Sequence, residues 1–437
     1  MSQQQEAVAT TDADSLSLWN NWDFLRLLFG RFVTNAGDSL YTIAGIWLVY
    51  DLTGSSFYTG LAGALLLLPP ALQFISGPLV DRWPLIQTLV WTQLIQAVLI
   101  LSIPVAAYFD RLTVGLVLLT IPLLSFLNQF VYPAQNAALP RIVEKGELTR
   151  ANSAFSFANQ GTNMVFDALG GVLIALIGVV SLFVLNSITF VIAVLSFVGV
   201  TVPERSETTN ETADIDVSGY LSDLREGVQW LQGTVFTEMM LTTAVTNFGT
   251  GVMLAVLPGF AAARGGSILY GALLGAIGAG GLTGALIASR LTHIRYGAIR
   301  IIGLGIGFVT WFVAVYSPWP ALTVVLFALT GVPMGVTNVM GQTLIQTVTP
   351  EDLLGRVTSV DASVATLTVP LGSLLGGVAG STFGVVPTMA VAAFSFAFVS
   401  LYFTARPHLR RLPAVDNIEE EKFIHRETAQ PPASNPE

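Results

Sequence analysis

The sequence predicts an all-α integral membrane protein with twelve transmembrane helices in two pseudo-symmetric six-helix halves. Three observations carry this prediction. Of the 437 residues, 53% are hydrophobic and only 11% charged, with a mean hydropathy of +0.68, whereas soluble domains carry about 25% charged residues. Twelve apolar runs can each cross a hydrocarbon core of about 30 Å, which takes about 20 residues per helix. Stretches of the second half also repeat stretches of the first at nearly constant spacing.

Residues 1–22 are polar and acidic, with Glu6, Asp12 and Asp14 and no Lys or Arg. That is the opposite of a signal-peptide n-region, so the first apolar segment is expected to be a retained helix behind a cytoplasmic tail. The first half, 23–202, contains spans near 24–50, 57–79, 85–109, 112–138, 151–178 and 180–202. A cytoplasmic central loop follows at 203–235. There "PERSETTNETADIDVSG" reads as a flexible tether and "YLSDLREGVQWLQ" as an amphipathic surface helix. The second half, 236–405, contains spans near 236–262, 268–291, 298–316, 319–345, 357–382 and 385–405, before a cytoplasmic tail at 406–437. Lipid admits only helices or closed barrels, and these runs lack the alternation of barrel strands.

With both termini cytoplasmic, seventeen of the nineteen basic residues fall on the inner side, among them Arg141, Lys145, Arg150, Arg290, Arg295 and Arg300. Only Arg111 and Arg264 remain outside. The bias of Lys and Arg sets orientation in a membrane, so the sequence predicts a multi-pass protein of the cell membrane. The net charge of −9 does not contradict this, since residues 203–226 alone hold seven acids.

A shift of 206 residues lays Leu148, Arg150 and Ser153 on Leu354, Arg356 and Ser359, and "LGG" at 169–171 on "LGG" at 375–377. A shift of 212 lays "VTN" at 33–35 on "VTN" at 245–247, with Gly37 on Gly249. Two parallel six-helix repeats imply a substrate site between the halves near the midplane.

Composition removes several chemistries. There is no cysteine, and His293, His408 and His425 fall in predicted loops or tails, so neither a metal site, a cofactor nor a buried histidine relay is expected. Lys145 and Lys422 each follow a glutamate. The chain therefore lacks the phosphate-cradling G-x-x-x-x-G-K-[ST] loop of an ATP-driven pump. The predicted loops offer no His–Asp pair or glycine-rich phosphate cradle, which argues against an enzyme. The expected partners are a small-molecule substrate, protons and the bilayer, with no nucleic acid, and the chain is expected to be a monomer.

Between the second and third spans stands "GPLVDRW", Gly77 to Trp83. It resembles the G-x-x-x-D-R core of the loop motif of the major facilitator superfamily, and the twelve spans, two halves and long central loop agree with that family over nearly the whole chain. The sequence departs from the motif at Pro84, Leu85 and Ile86, where glycine and basic residues are usual. "FLRLLFGRFVTNAGDSLYTIAGIWLVYDLTGSS" and "LPRIVEKGELTRANSAF" further resemble the subgroup of drug, macrolide and siderophore exporters. The resemblance implies the major facilitator fold and efflux of an amphiphilic small molecule by proton antiport. A second departure lies in the fifth span, where "FDALGG" puts Phe166 and Asp167 in place of the Gly and Pro of the exporters' G-P-x-x-G-G motif.

Two acids stand near mid-depth. Asp38 lies about 14 residues, hence about 21 Å, into the first span, and Asp167 lies a similar distance into the fifth. An ionised acid at that depth costs about 2.5–3.5 kcal/mol on insertion scales, and such residues generally face a cavity and carry function. Both are proton-coupling candidates, above all if they approach each other. The structural alternative is a polar contact, with Asp38 held by Asn35, Asn163 or Arg31. On the repeat Asp38 matches Thr250 and Asp167 matches Ser373, so this pair of acids belongs to the first half.

At the inner face, Gly77, Asp81 and Arg82 of the loop motif, with Arg356 and Asp361, are candidates for a cytoplasmic gate; the alternative is loop solvation. Candidates for lining the cavity are Arg31, Asn35, Asn128, Gln129, Gln135, Asn159, Asn163, Asn247, Asn338, Gln342 and Gln346. Arg31 is also expected to snorkel toward the inner interface. Trp47, Trp91 and Trp311 are expected as lipid anchors. The leading function is a secondary exporter. The alternatives are an uptake permease working by proton symport with a small nutrient, a non-transporting membrane scaffold and a membrane enzyme.

Overall fold

The computed structural model describes residues 18–72, 83–203 and 228–417. These are almost entirely helical: α1 Trp22–Thr53, α2 Ser56–Leu67, α3 Leu85–Tyr108, α4 Val114–Ile142, α5 Leu148–Ile177, α6 Val179–Val198, α7 Val235–Ala262, α8 Gly266–Ala288, α9 Tyr296–Tyr316, α10 Pro320–Val348, α11 Glu351–Phe383, α12 Val385–Ala405 and the short α13 Pro407–Arg410. Ten of them, α3 to α12, are long and apolar enough to cross a membrane. The 32-residue α1 has the length, but Arg31, Asn35 and Asp38 lower its hydropathy. For α2, twelve helical residues and a 3₁₀ turn, Pro69–Leu72, are described. The remainder of the predicted 57–79 span lies outside the described residues, as does most of the predicted surface helix of the central loop.

The described residues form two compact units. The first takes in those up to Leu48 and from Leu72 to the central loop; the second takes in Val49–Ala71 and everything beyond that loop. In the first, α3 packs on α6 and α4. In the second, α8 packs on α10, α7 on α11 and α12, and α9 on α12 and α10. The second span, counted with the first half by its place in the sequence, packs here on α7 and α11 of the second unit. Small residues explain the closeness. Ser373 Oγ on α11 donates to the Gly60 carbonyl at 3.0 Å, and the Thr59 hydroxyl donates to the Ala255 carbonyl on α7.

Helices α5 and α6 are joined by Gly178 alone, and α11 and α12 by Gly384 alone. Their backbones nearly coincide, at φ 82°, ψ 152° and φ 91°, ψ 158°, and the two positions differ by 384 − 178 = 206 residues. The repeat is thus written into the backbone, in a region of φ/ψ space that is essentially glycine-only. Gly178→Ala or Gly384→Ala is expected to cost about 1–3 kcal/mol each. Thermal unfolding of the purified protein in detergent would show it as a lowered midpoint.

Beyond α12 the chain turns back. Tyr296 N donates to the Pro413 carbonyl at 3.0 Å, Arg295 and Ala414 form an isolated antiparallel bridge, and Leu409, Leu412 and Ala414 are buried. His408 on α13 meets Glu238 near the start of α7 at 2.9 Å. The sequence puts His408 in a tail; the fold makes it a half-buried partner of a buried acid, because the turn-back carries α13 to the base of α7.

Candidate functional site

In the first unit, polar side chains recur at helical spacing on three neighbouring helices. On α1 they are Arg31, Asn35 and Asp38, with Ser39 beside them; on α4, Asn128, Tyr132 and Gln135; on α5, Asn159, Asn163 and Asp167. Steps of three or four residues place each set on one helix face. The three faces meet as a seam inside an otherwise apolar bundle.

Arg31 anchors one end. It is buried, its Nη1 donates to Gln135 Oε1, and its guanidinium lies 4.1 Å above the Tyr132 ring centroid and 5.7 Å from that of Phe155. This corrects the expectation that Arg31 snorkels. Gln135 and two aromatic rings hold the charge inside the protein, where a cation over a desolvated ring gains about 2 kcal/mol. Tyr132 OH donates to Asn35 Oδ1 at 2.9 Å, and Asn35 Nδ2 reaches the Ala158 carbonyl of α5 at 3.4 Å.

Asp38 sits two turns along the same face. Both its carboxyl oxygens are buried and have no hydrogen-bond partner among the described residues. Asn128 faces it without closing a bond and leans toward Tyr41 OH at 3.5 Å, and Arg31 acts on it through space rather than as an ion pair. Behind Asn128 the polar chain continues into α3, where Gln96 Nε2 donates to Asn128 Oδ1 at 2.9 Å. Gln93, fully buried one turn away, has neither amide atom paired among the described residues.

Asp167 belongs to the other branch. Ser39 donates to Asn163 Oδ1 at 3.1 Å and also reaches toward the Asp167 carboxyl, while Asn163 Nδ2 donates to Asn159 Oδ1 at 3.3 Å. The two acids thus have different polar neighbours: Asp38 faces Asn128 of α4, and Asp167 faces Ser39 of α1. Residues 38 and 39 are about 100° apart around a helix, which splits the seam into two branches.

The other candidates disperse. Gln129 is buried but turns back to the Ser125 carbonyl of its own helix at 2.9 Å. In the second unit Asn247 Nδ2 meets the Ala365 carbonyl at 3.4 Å. Asn338, Gln342 and Gln346 form an exposed stripe on α10, from which Gln342 Nε2 donates to Asp361 Oδ2 at 3.1 Å. Arg300, buried on α9 with Nε donating to Tyr296 OH at 3.0 Å, supplies the positive field at Asp361. Arg356 is partly buried on α11. Gly77, Asp81 and Arg82 lie outside the described residues.

The repeat partners of the two acids are structural. Thr250 Oγ1 bonds to the Thr246 carbonyl of its own helix, and Ser373 holds α2. Of the three tryptophans expected as lipid anchors, Trp91 is exposed, whereas Trp47 and Trp311 are buried against protein. Sequence reasoning also missed Tyr132, Ser39, Gln93 and Gln96. Their signal was spacing alone, Tyr132 standing four residues from Asn128 and three from Gln135.

A buried guanidinium, an unpaired carboxyl and uncharged amides on a helical membrane scaffold can bind a polar solute or exchange a proton. No nucleophile–base pair joins them. Such a scaffold and seam suit a transporter of the major facilitator superfamily. The chain belongs to its transmembrane secretion effector family, whose sequence profile matches residues 16–433. It is 26% identical over 410 residues to the multidrug efflux pump Tap of Mycolicibacterium fortuitum, covering 89% of this chain and 96% of that one. It is also 26% identical over 380 residues to the uncharacterised MFS-type transporter YfiS of Bacillus subtilis, covering 84% and 88%. Among solved structures, a bacterial homologue of the lysosomal transporter Spinster superposes with a TM-score of 0.68 at 13% identity, covering 88% of this chain and 96% of that one. The nucleoside transporter NupG superposes at 0.67 with 12% identity, covering 88% and 98%. These structural likenesses establish the fold.

Proposed function

We propose that the chain exports an amphiphilic small molecule, of drug, macrolide or siderophore type, by alternating access, each outward step exchanged for inward protons. The observation that carries this reading is Asp38, a carboxyl at mid-depth in α1 whose two oxygens are buried without a hydrogen-bond partner among the described residues. A carboxyl serving only structure would be hydrogen-bonded, since an unmade bond costs a buried polar group about 1–3 kcal/mol. One that loads and releases a proton is left free to do so. Efflux, rather than transport in general, is supported by the likeness to Tap, a multidrug efflux pump. In this reading Asp167 is a second protonation site, and the polar stripe on α10 lines the substrate path in the second unit. Arg356 and Asp361 are read as inner-gate residues of the second unit, and the loop-motif candidates Gly77, Asp81 and Arg82 lie outside the described residues. The chain works as a monomer in the cell membrane with both termini in the cytoplasm.

Everted vesicles with an acidified lumen and a pH-sensitive dye test this. Lipophilic cations, macrolides and siderophores are added in turn outside. An exporter by antiport accumulates one or more of them while protons leave the lumen. A preloaded solute leaving together with protons would instead make the chain an uptake symporter, and no coupled flux for any solute with a folded protein would leave the scaffold reading.

A further inference from the structure

The motif "LPRIVEKGELTRANSAF" meets the seam through the Phe155 ring, and other residues of its α5 portion line one wall of a cleft of about 820 Å³. The cleft lies within the first unit, between the starting turns of α1 and α5. Leu28, Phe29 and Phe32 form one wall, Arg150 and Phe157 the other, and Trp19 closes the end. The walls are apolar and open: Phe157 is 79% exposed and Phe29 52%. Arg150 is exposed and has no ion-pair partner among the described residues.

Length and charge select the occupant. From Leu25 to Phe32 the α1 wall runs seven residues, or about 10.5 Å, and the α5 wall from Thr149 to Ala158 nine residues, or about 13.5 Å. Both fit within the half-thickness of a hydrocarbon core about 30 Å across, hence within one leaflet. The one cation stands in the first turn of α5, at the mouth, and the rings stand below it. Anionic headgroups collect in basic pockets at helix ends, and acyl chains gain from each methylene laid on an apolar wall.

We propose that this cleft is a site for an anionic phospholipid of the adjoining leaflet, with its phosphate against Arg150 and one acyl chain along Phe29, Phe32 and Phe157. The assignment is independent of the export reading, because it needs neither Asp38 nor a transported substrate.

Native mass spectrometry of the purified protein tests it, with phosphatidylglycerol and phosphatidylcholine of identical chains added at equal concentration. Wild type is expected to retain phosphatidylglycerol preferentially. In Arg150→Gln that preference should fall about fivefold, the effect of one basic residue at a lipid surface, with phosphatidylcholine unchanged. Phe157→Ser should weaken both lipids. Both positions are exposed, and unchanged melting would show that both variants are folded. Equal retention of the two lipids by wild type, or an undiminished preference in Arg150→Gln, would overturn the site. Displacement of the lipid, one for one, by a lipophilic cation would reassign the cleft to a transported solute.

Discussion

Asp38→Asn is expected to abolish transport driven by a pH gradient while leaving the fold intact. The exchange keeps the shape of the side chain and removes only its exchangeable proton. Among the described residues the two carboxyl oxygens have no hydrogen-bond partner within bonding geometry, and Asn128, which faces them, can face an amide as well. Arg31, the charge that acts on the carboxyl, is held independently by Gln135 and the Tyr132 ring. The variant should therefore melt within about 1 kcal/mol of wild type, as a change that breaks no bond should. Uptake into acidified everted vesicles should fall at least about tenfold, the loss of 1.4 kcal/mol or more of driving or binding energy, whereas downhill exchange of substrate persists. Asp167→Asn should do less, because Ser39 and Asn163 stay bonded without it. Normal gradient-driven uptake by Asp38→Asn from about pH 6 to 8, the range in which a coupling acid has to exchange its proton, would remove Asp38 from the mechanism.

The second large effect is mechanical and belongs to α8 and α10. A methyl group on Gly280 would stand 1.9 Å from the Ala328 carbonyl oxygen, and on Gly284 2.0 Å from that of Val332. From the other side, a methyl on Gly335 would meet the Gly281 oxygen at 1.9 Å, and on Gly331 the Ile277 oxygen at 2.4 Å. These obstacles are backbone atoms and cannot rotate away, so the helices must separate. Close approach through small residues is how membrane helices gain packing in the absence of a hydrophobic drive. Each Gly→Ala change is expected to cost about 1–3 kcal/mol, and Gly280→Val with Gly335→Val should leave no monodisperse protein on size exclusion. Gly278, with open space where its side chain would be, supplies the control on the same helix. Gly278→Ala should be no less stable than wild type, since alanine favours a helix over glycine, and an equal loss there would show that close backbone approach does not set the effect.

The helices were legible because each is a run of apolar residues bounded by Gly, Pro or charge, and the predicted runs for α3 to α12 match the observed helices to within six residues at either end. The packing of α2 on α7 and α11 was not legible. It depends on Gly60 and Ser373 meeting across more than three hundred residues, and a hydropathy pattern carries no partner. In the seam, Arg31, Asn35, Asp38 and Gln135 announced themselves as polar groups in apolar spans. Tyr132 did not, because a tyrosine reads as apolar body until its hydroxyl finds Asn35. The separation of Asp38 from Asp167 was equally hidden. Depth along a helix follows from counting residues, whereas the azimuth toward a neighbour is fixed only by tertiary packing. Glu238 was overlooked for a similar reason, since its partner His408 arrives from beyond the last span.

Within the first unit α3 and α4 are joined by 109–113 and α5 and α6 by Gly178, five residues and one. Within the second, α7 and α8 are joined by 263–265, α9 and α10 by 317–319 and α11 and α12 by Gly384, three, three and one. Connections this short give a protease or antibody little chain to grip, and among them the turn at Phe109–Thr113 offers an epitope or fluorophore the most room.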